Sequence, residues 1–514
     1  MDLNIHSPLP RKRDFRIGIL GSGFIVNDCH LVAYRKAGFN PVAIASRRSE
    51  RAAEVASRHG IPKVYNTPEE LLGDPSIEVL DIAVPPNAQL ALIKFACERK
   101  TVKGILAQKP LGMNYAEALE AVKCCEQAGI VLAVNQNMRY DQSVRAAKTL
   151  IESGTPGAPV LATIEMRGIP HWMDWHKDLG WLTLRIMSIH HLDTFRYWFG
   201  EPELVFCSVR SDPRTKFPHT DGICTYILEY SNGLRCVGLD DTWTGPAKEG
   251  CPNDIYIRWR IEGLDGLAIG DIGWCKDPYT TPSTIRYATK GKAHFECPIW
   301  KESWFPDAFI GTMAQLLIAI EERAVPAISG RDNLKTMALV EAAYQSATQK
   351  RAVSPNEIGG LPEPRSNPPS KISLTPNAER TLRLARDQAQ ENGDAATHPE
   401  HLLLAITRQF HCTASRALQY SGVALEAIQN EIANRRRQSA GPKGNDPETL
   451  DRLLKLAAVE AADLHHQHVG TGHFLLALLR DGQSRPGEIL RKLGLSLPTA
   501  TKAVLKELEP HRSN

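Results

Sequence analysis

Residues 16–26 read R-I-G-I-L-G-S-G-F-I-V, and the rest of the chain can be interpreted outward from them. The apolar run at residues 17–20 is typical of a short buried strand, and a helix-compatible segment follows the glycines. A glycine turn in this position lets backbone N–H groups approach a pyrophosphate at the helix N-terminus, so Gly21 and Gly23 are candidate contacts of a dinucleotide. Val26 replaces the third small residue of that pattern. A glycine turn that merely follows a buried strand is the alternative interpretation.

The second predicted strand, residues 41–46, ends where a dinucleotide fold places the residue that contacts the adenosine ribose. The chain has Ser46, Arg47 and Arg48 there, and no carboxylate. Hydroxyl and guanidinium groups bind a 2′-phosphate, which a carboxylate would repel, so this end favours NADP(H) over NAD(H). Two solvated arginines on a loop are the alternative.

Strands and helices alternate up to residue 140, which predicts a parallel, doubly wound sheet in an α/β domain over residues 16–140. Functional groups are expected at the carboxyl ends of its strands. Further predicted strands are residues 64–65, 79–84, 104–107 and 131–135, and predicted helices are residues 26–36, 50–59, 88–98 and 115–128.

The pattern changes in residues 141–355, which we interpret as a second, α+β domain. Turn signals such as Ser231-Asn232-Gly233 separate short apolar runs and predict an open, mainly antiparallel sheet. The β-rich part is residues 204–298, after a helix at 143–152 and a strand at 160–166, and helices return at 307–322 and 331–349.

Composition limits the classes of function. A chain of 514 residues is too long for one core, and a net charge of +3 leaves no large basic field for nucleic acid. No apolar run is long enough to span a membrane, and the 11 cysteines form no C-x-x-C pair, which indicates a reduced, cytoplasmic protein. Residues 1–15 are predicted to be a disordered tail.

Three motifs, together with the glycine turn, carry a resemblance. They are V-P-P-N at residues 84–87, Q-K-P-L-G at 108–112 and N-M-R-Y at 137–140. In this order they resemble the Gfo/Idh/MocA family of NAD(P)-dependent sugar oxidoreductases, over residues 16–355. The resemblance implies a Rossmann domain, an open-sheet substrate domain and a sugar or polyol as substrate.

The resemblance also implies roles for single residues. Lys109 matches the family lysine near nicotinamide and substrate, although Gln108 replaces the glutamate before it. His190, in I-H-H-L-D at residues 189–193, matches the catalytic histidine, a near-neutral base that takes a hydroxyl proton. Ile186 stands where the family has an aspartate, so the partner that would tune the histidine is missing.

The expected site follows from these matches, with Lys109 and His190 as the catalytic residues. The expected coenzyme contacts are Gly21, Gly23, Phe24, Ile25, Ser46, Arg47, Arg48, Pro86, Asn87, Lys109 and Asn137, and the expected substrate contacts are Lys109, Arg139, His190 and Asp193. We expect no metal, because the alternative site from His190, His191 and Asp193 would need adjacent histidines, which point about 100° apart on a helix. A surface or capping role is the alternative for Asp193.

The C-terminal part is different in kind. Residues 356–370 are proline-rich and predict an exposed linker, and residues 371–514 are helical throughout. T-H-P-E-H-L-L-L-A at 397–405 is echoed 72 residues later by V-G-T-G-H-F-L-L-A at 469–477, which predicts an all-α bundle of two pseudo-repeats. The repeat resembles the N-terminal domain of Clp-type chaperones, which implies docking of a protein partner. A packing or oligomerisation domain is the alternative.

The sequence therefore predicts a cytoplasmic NAD(P)-dependent oxidoreductase of a sugar or polyol, with NADP(H) favoured and a protein-docking domain fused to it. We expect a homo-oligomer that associates neither with nucleic acid nor with a membrane. The alternative is a coenzyme-binding sensor or scaffold without chemistry, which Ile186 and the Clp-like repeat suggest.

Overall fold

The computed structural model describes residues 2–168, 174–215, 217–242, 255–273, 275–276, 279–359, 374–394, 396–438, 448–464, 466, 468–480 and 485–508. The chain divides into two units, Met1–Pro362 and Glu363–Asn514, and each has a hydrophobic core of its own.

The first sheet of the N-terminal unit is the parallel sheet that the alternation predicts. Its six strands lie in the order β3-β2-β1-β4-β5-β6, and β1 pairs in parallel with both β2 and β4. The strands are β1 (Arg16–Leu20), β2 (Asn40–Ala45), β3 (Lys63–Tyr65), β4 (Val79–Ile82), β5 (Gly104–Ala107) and β6 (Val131–Val134). The helices are α1 (Leu31–Ala37), α2 (Ser49–His59), α3 (Pro68–Leu72), α4 (Pro86–Arg99) and α5 (Tyr115–Ala128).

The helix after the glycine turn begins differently from the prediction of a plain helix over residues 26–36. A π-helical turn over Ile25–His30 precedes α1. The backbone N–H groups of Val26 and Asn27 donate to the Gly23 carbonyl at 3.1 and 2.9 Å. Val26 is fully buried at the position where the dinucleotide pattern has a small residue, and it lies in this wider turn. Turns of this type often occur at functional sites.

A second, seven-stranded sheet follows, in the order β15-β12-β11-β7-β10-β9-β8. Only its β7–β10 pair is parallel, so the prediction of an open, mainly antiparallel sheet is confirmed. Its strands are β7 (Pro159–Arg167), β8 (Leu204–Arg210), β9 (Ile223–Glu229), β10 (Arg235–Asp241), β11 (Tyr256–Gly263), β12 (Gly266–Asp271) and β15 (Thr284–Thr289), with the small hairpin β13 (Cys275–Lys276) and β14 (Tyr279–Thr280) beside them in the chain. Helix α6 (Gln142–Glu152) connects the two sheets in sequence, and α7 (Asp174–Leu179) and α8 (Ile189–Phe199) lie between β7 and β8.

Two long helices, α9 (Trp304–Glu322) and α10 (Gly330–Gln349), come after the second sheet in the chain; α9 packs on β5 and β6 of the first sheet, and α10 packs on β8 of the second as well as on β6. A Cβ at Gly104 of β5 would lie 2.7 Å from Ile320, and one at Gly330 would lie 2.7 Å from Leu132 of β6. A parallel sheet needs cover on both faces, and these helices provide part of it. One core spans both sheets, and the boundary at residue 140 stays a prediction.

The prediction of a disordered tail over residues 1–15 is wrong for the described residues. Leu3 is buried, and the Arg145 guanidinium donates to the carbonyls of Asn4 and His6 at 2.9 and 3.1 Å. The tail lacks helix and strand, so its anchoring depends on tertiary contacts that local sequence does not reveal.

The predicted linker begins later than residue 356. Val353 pairs with Val205 of β8, and Pro355–Glu357 forms a 3-10 turn with a capping box from Ser354. Most of the predicted linker, residues 360–370, lies outside the described residues.

The C-terminal unit consists of helices in its described part, as the repeat predicts. They are α11 (Pro376–Glu391), α12 (Pro399–Arg408), α13 (Thr413–Tyr420), α14 (Leu425–Gln438), α15 (Glu448–Asp463), α16 (Thr471–Arg480), α17 (Arg485–Lys492) and α18 (Leu497–Leu508). The two echoed motifs begin their helices alike, because His401 Nδ1 accepts from the His398 N–H and His473 Nδ1 from the Gly470 N–H, at 2.9 and 2.8 Å. Among the described helices of the whole chain, none combines the length and apolarity needed to cross a bilayer.

Candidate active site

The glycine turn lies at the carboxyl end of β1, in the centre of the first sheet. Gly21 has a φ of +125°, and a Cβ there would lie 2.3 Å from the Ala83 carbonyl oxygen, so only glycine fits. Gly23 is exposed, and a Cβ there would meet no atom within 4 Å. The open space above Gly23 and the helical turn behind it fit the pyrophosphate of a dinucleotide. Phe24 and Ile25, at the start of that turn, are half-buried.

The end of β2 carries the predicted adenosine contacts. Arg47 and Arg48 are exposed, as a phosphate site requires. The Ser46 hydroxyl is already engaged, because it accepts from Ser22 Oγ at 2.9 Å and from the Arg48 N–H at 3.1 Å. Ser46 therefore shapes the loop in this structure. Arg51, which the sequence interpretation missed, adds a third cation and reaches the Ser22 carbonyl at 3.5 Å; its signal was its place one turn after Arg47.

Pro86 and Asn87 begin α4 at the carboxyl end of β4. Pro86 is buried and Asn87 is exposed, so only the asparagine side chain is open to a ligand. Gln89, three residues after Pro86 on the buried face of α4, donates to the Pro110 carbonyl at 3.0 Å. Its Oε1 is buried and has no hydrogen-bond partner among the described residues.

Lys109 follows β5, and its Nζ donates a hydrogen bond to the Ile186 carbonyl. The residue is half-buried, but its ammonium group is surrounded by protein. Burial lowers the pKa of Lys109 to about 7. The ammonium and amine forms are therefore both populated near neutral pH, which suits a group that handles charge during a reaction.

His190 lies on α8 and is almost completely buried. Burial, and then the neighbouring Lys109 and His191, hold the pKa of His190 well below its usual range. Its ring meets the Trp304 ring edge to face, with centroids 5.3 Å apart, and its Nδ1 has no hydrogen-bond partner among the described residues. The structure thus brings together Lys109 and a neutral His190.

Arg139 and Asp193 are engaged with each other, which argues against the predicted role in substrate binding. Arg139 donates to both Asp193 oxygens, at 2.6 and 2.7 Å, and to Asp332 at 2.7 Å. Asp193 also accepts from Thr336 at 2.6 Å and is 1% exposed, so a surface role is wrong as well. This network ties α8 to α10 and the segment after β6. Its partners lie far apart in sequence, which is why the motifs alone did not reveal it.

Asn137 was predicted to contact the coenzyme. Its side chain is buried, and Oδ1 accepts from the Trp304 indole N–H at 2.7 Å. Asn137 therefore orients the ring that packs against His190. The predicted contact of Asn137 with the coenzyme stays a prediction.

The carboxylate nearest to the two histidines, Asp240, pairs with His191 and not with His190. His191 Nδ1 lies 2.8 Å from Asp240 Oδ1, and Ser188 donates to the other oxygen of Asp240. Since His191 turns to Asp240 and Asp193 turns to Arg139, the three residues of the alternative metal site do not converge. No group of three metal-ligating side chains occurs in the described ranges.

A buried polar chain below the glycine turn was also missed. His30 Nδ1 lies 2.7 Å from Asp81, which accepts from Tyr34 at 2.8 Å, and His30 Nε2 lies 2.8 Å from Asn135. This chain links the π-helical turn to β4 and β6. Its sequence signal was the aspartate inside the apolar strand V-L-D-I.

Comparison with known families agrees with this architecture. Residues 15–136 match the model of the oxidoreductase family with an NAD-binding Rossmann fold, and residues 144–269 match the Gfo/Idh/MocA C-terminal domain. Three overlapping stretches, residues 338–421, 373–493 and 447–513, match the Clp repeat N-terminal domain.

Relatives of the N-terminal part include dehydrogenases. D-apiose dehydrogenase of Rhizobium rhizogenes is 26% identical over 367 residues, which cover 67% of this chain and 97% of that protein. Myo-inositol 2-dehydrogenase of Thermotoga maritima is 26% identical over 322 residues, covering 62% of this chain and 92% of that protein. These names give no support to the alternative of a sensor without chemistry.

The C-terminal part has a different relative. The negative regulator of genetic competence ClpC/MecB of Bacillus subtilis is 34% identical over 137 residues, which cover 26% of this chain and 17% of that protein.

Among solved structures, an oxidoreductase from Agrobacterium radiobacter in complex with NAD+, L-tartaric acid and magnesium has a TM-score of 0.57 at 23% identity, covering 67% of this chain and all of that one. This likeness shows the fold.

Proposed function

We propose that this chain is an NAD(P)-dependent dehydrogenase or reductase that acts on a CH–OH group of a sugar or polyol. Through residues 15–269 it belongs to the Gfo/Idh/MocA family of oxidoreductases, and it carries Clp repeats within residues 338–513. The observation that supports it most is the pair of Lys109 and His190, both withdrawn from water and close to each other. Lys109 lies just after the carboxyl end of β5, at the same edge of the parallel sheet as the glycine turn.

The glycine turn and the loop after β2 would hold the coenzyme. Its nicotinamide ring, when bound, exchanges a hydride with the carbon that carries the substrate hydroxyl. The remaining task of the chain is to move a proton and to stabilise charge on the substrate oxygen. His190, kept neutral by burial, accepts the hydroxyl proton during oxidation and returns it during reduction. Lys109, as an ammonium group, donates to the substrate oxygen and stabilises the negative charge that develops there.

NADP(H) is the coenzyme that we propose to bind more tightly. The support is the absence of a carboxylate at residues 46–48 together with the exposed guanidinium groups of Arg47 and Arg48. Arg51 lies close enough to the glycine turn to join them. A cluster of guanidinium groups favours the doubly charged 2′-phosphate over a ribose hydroxyl.

For the C-terminal unit we propose docking of a protein partner. The support is its Clp repeats and its separate core, which lets it fold without the oxidoreductase. Large hydrophobic side chains such as Phe410 and Tyr420 are more than half exposed on it. A packing role within an oligomer remains the alternative, and a pull-down with the isolated unit distinguishes the two by whether it recovers this chain or another protein.

The experiment for the enzymatic proposal is a turnover assay with both coenzymes and with the substrates that relatives are named for: D-apiose, myo-inositol, D-xylose and 1,5-anhydro-D-fructose. Lys109→Ala and His190→Ala should each lower kcat by about a hundredfold or more, the scale of a lost acid–base group. Coenzyme binding should persist in both. Lys103→Ala, which removes an exposed lysine just before β5, is the control and should leave kcat unchanged.

If the wild type turns over no sugar or polyol with either coenzyme, the result would favour the alternative of a coenzyme-binding sensor without chemistry. Unchanged kcat in both variants would move the chemistry away from Lys109 and His190.

A further inference from the structure

A short turn positions both residues of the proposed chemistry, Lys109 and His190. The π-helical turn Leu184–Ser188 contains Ile186, whose carbonyl accepts from Lys109 Nζ, and it continues into α8, which carries His190. Its preceding residue, Thr183, makes no side-chain capping bond. The position of the turn therefore decides where the ammonium group and the imidazole lie, and something else has to hold its N-terminal end.

We propose that Asp221 is the positioning residue of this site, because its buried carboxylate caps the turn from a distant part of the chain. Asp221 Oδ1 accepts from the Leu182 N–H at 2.9 Å, and Oδ2 accepts from the Leu184 N–H at 2.8 Å. Oδ2 also accepts from the Tyr344 hydroxyl at 2.7 Å. Asp221 has no exposed surface. The inference deepens the proposed function and rests on it.

Three elements meet at this carboxylate. Asp221 lies just before β9, the amides belong to the segment before α8, and Tyr344 lies on α10. The loop that delivers Asp221 is fixed in turn, because the Thr220 N–H donates to the Gly180 carbonyl at 3.3 Å. Burial and the neighbouring Asp221 raise the pKa of Tyr344 well above its usual value, so the tyrosine remains a donor.

A second contact fixes the side of the same turn. The Arg185 guanidinium forms a bidentate pair with Glu341, at 2.6 and 2.7 Å, and stacks near the rings of Trp181 and Tyr344. Arg185 binds through its side chain, whereas Asp221 binds the backbone amides at the start of the turn. Of these two side chains, the Asp221 carboxylate is therefore the one that holds the backbone where the turn begins, ahead of the Ile186 carbonyl.

Asparagine tests this role with little change of volume. A carboxylate only accepts hydrogen bonds, but an amide would place its NH2 group against one of the two N–H donors. The turn would then loosen and water would reach the Lys109 ammonium in place of the carbonyl. The pKa of Lys109 should rise toward the ordinary lysine value of about 10.4.

The experiment measures Lys109 directly and needs neither substrate nor coenzyme. The full chain is acetylated with trace acetic anhydride over a pH series, and peptide mass spectrometry gives the labelling of Lys109 relative to the exposed Lys103. We expect a midpoint near pH 7 for Lys109 in the wild type and a midpoint at least one pH unit higher in Asp221→Asn. Asp271→Asn, a charge removal at an exposed pair in the second sheet, should leave the midpoint unchanged.

A folded Asp221→Asn protein with the wild-type midpoint would overturn the inference, and so would a wild-type midpoint already at ordinary lysine values. If Asp221→Asn does not fold, Tyr344→Phe decides, because it removes one of the three bonds and keeps both amides. Its midpoint should rise by a smaller amount, and an unchanged midpoint would overturn the inference. A shifted midpoint in a chain that turns over no sugar would support this inference while refuting the proposed function.

Discussion

Substitution of the two glycines of the turn separates a structural effect from a coenzyme effect. Gly23→Ala adds a methyl group where no atom lies within 4 Å, so the free energy of unfolding should change by about 0.5 kcal/mol or less. Gly21→Ala adds a methyl group that would lie 2.3 Å from the Ala83 carbonyl oxygen, at a backbone φ of +125°. Backbone strain alone should cost about 1–3 kcal/mol there, and the overlap adds to it.

The coenzyme should respond in the opposite order. The Gly23 methyl would occupy the space in which a pyrophosphate approaches the backbone. Loss of one hydrogen bond to a charged group costs about 1.5–3 kcal/mol, which corresponds to about a tenfold to hundredfold higher Kd. Fluorescence titration with NADPH gives the affinity, and thermal unfolding gives the stability.

Gly73→Ala is the matched control, because Gly73 has helical backbone angles and a Cβ there would meet neighbours only at 3.4 Å. It should change neither quantity. A Gly23→Ala protein that binds NADPH as tightly as the wild type would refute the assignment of the pyrophosphate to this turn.

Other predictions concern the remaining features. Because Lys109 acts as an ammonium group with a pKa of about 7, kcat/KM should fall as pH rises through about 7, while His190 stays neutral across that window; a rate that rises instead would make Lys109 the base. Arg47→Asp should shift the preference toward NAD(H), and equal affinities of the wild type for both coenzymes would count against the arginine assignment. Asp193→Asn should destabilise the N-terminal unit by about 1.5–3 kcal/mol in urea unfolding, because Arg139 would lose one of its two carboxylate partners and keep Asp332; a loss of substrate affinity with unchanged stability would restore the binding role. Cleavage near Arg365 should release two folded units, with oxidoreductase activity in the first; an unfolded C-terminal fragment would contradict the separate cores.

Short-range patterns in the sequence were sufficient to predict the architecture. The glycine turn after residues 17–20 and the alternation behind it predicted the parallel sheet, because turn geometry and strand period are properties of short segments. The echo of 397–405 at 469–477 predicted the helical repeat for the same reason. The resemblance to the Gfo/Idh/MocA family is confirmed over residues 15–136 and 144–269, and the resemblance to Clp repeats within residues 338–513.

The contacts that complete the site could not be predicted in this way. Arg139 and Asp193 match family motifs, yet the structure pairs them with each other, and Arg139 also donates to Asp332, which lies 193 residues later in the chain. Asp221 reaches amides 37 and 39 residues earlier in the chain. Such pairings depend on which elements meet in the folded chain, and neither periodicity nor residue spacing carries that information.

Hydride transfer itself is the measurement that tests the central claim most directly. NADPH deuterated at the transferring position of nicotinamide C4 is incubated with the ketone form of each substrate, and the product is analysed by mass spectrometry and NMR. The account predicts one deuterium on the carbinol carbon of at least one sugar or polyol, and at least about a hundredfold slower labelling in His190→Ala. NADPH that binds to the folded chain but transfers no label to any substrate would contradict it.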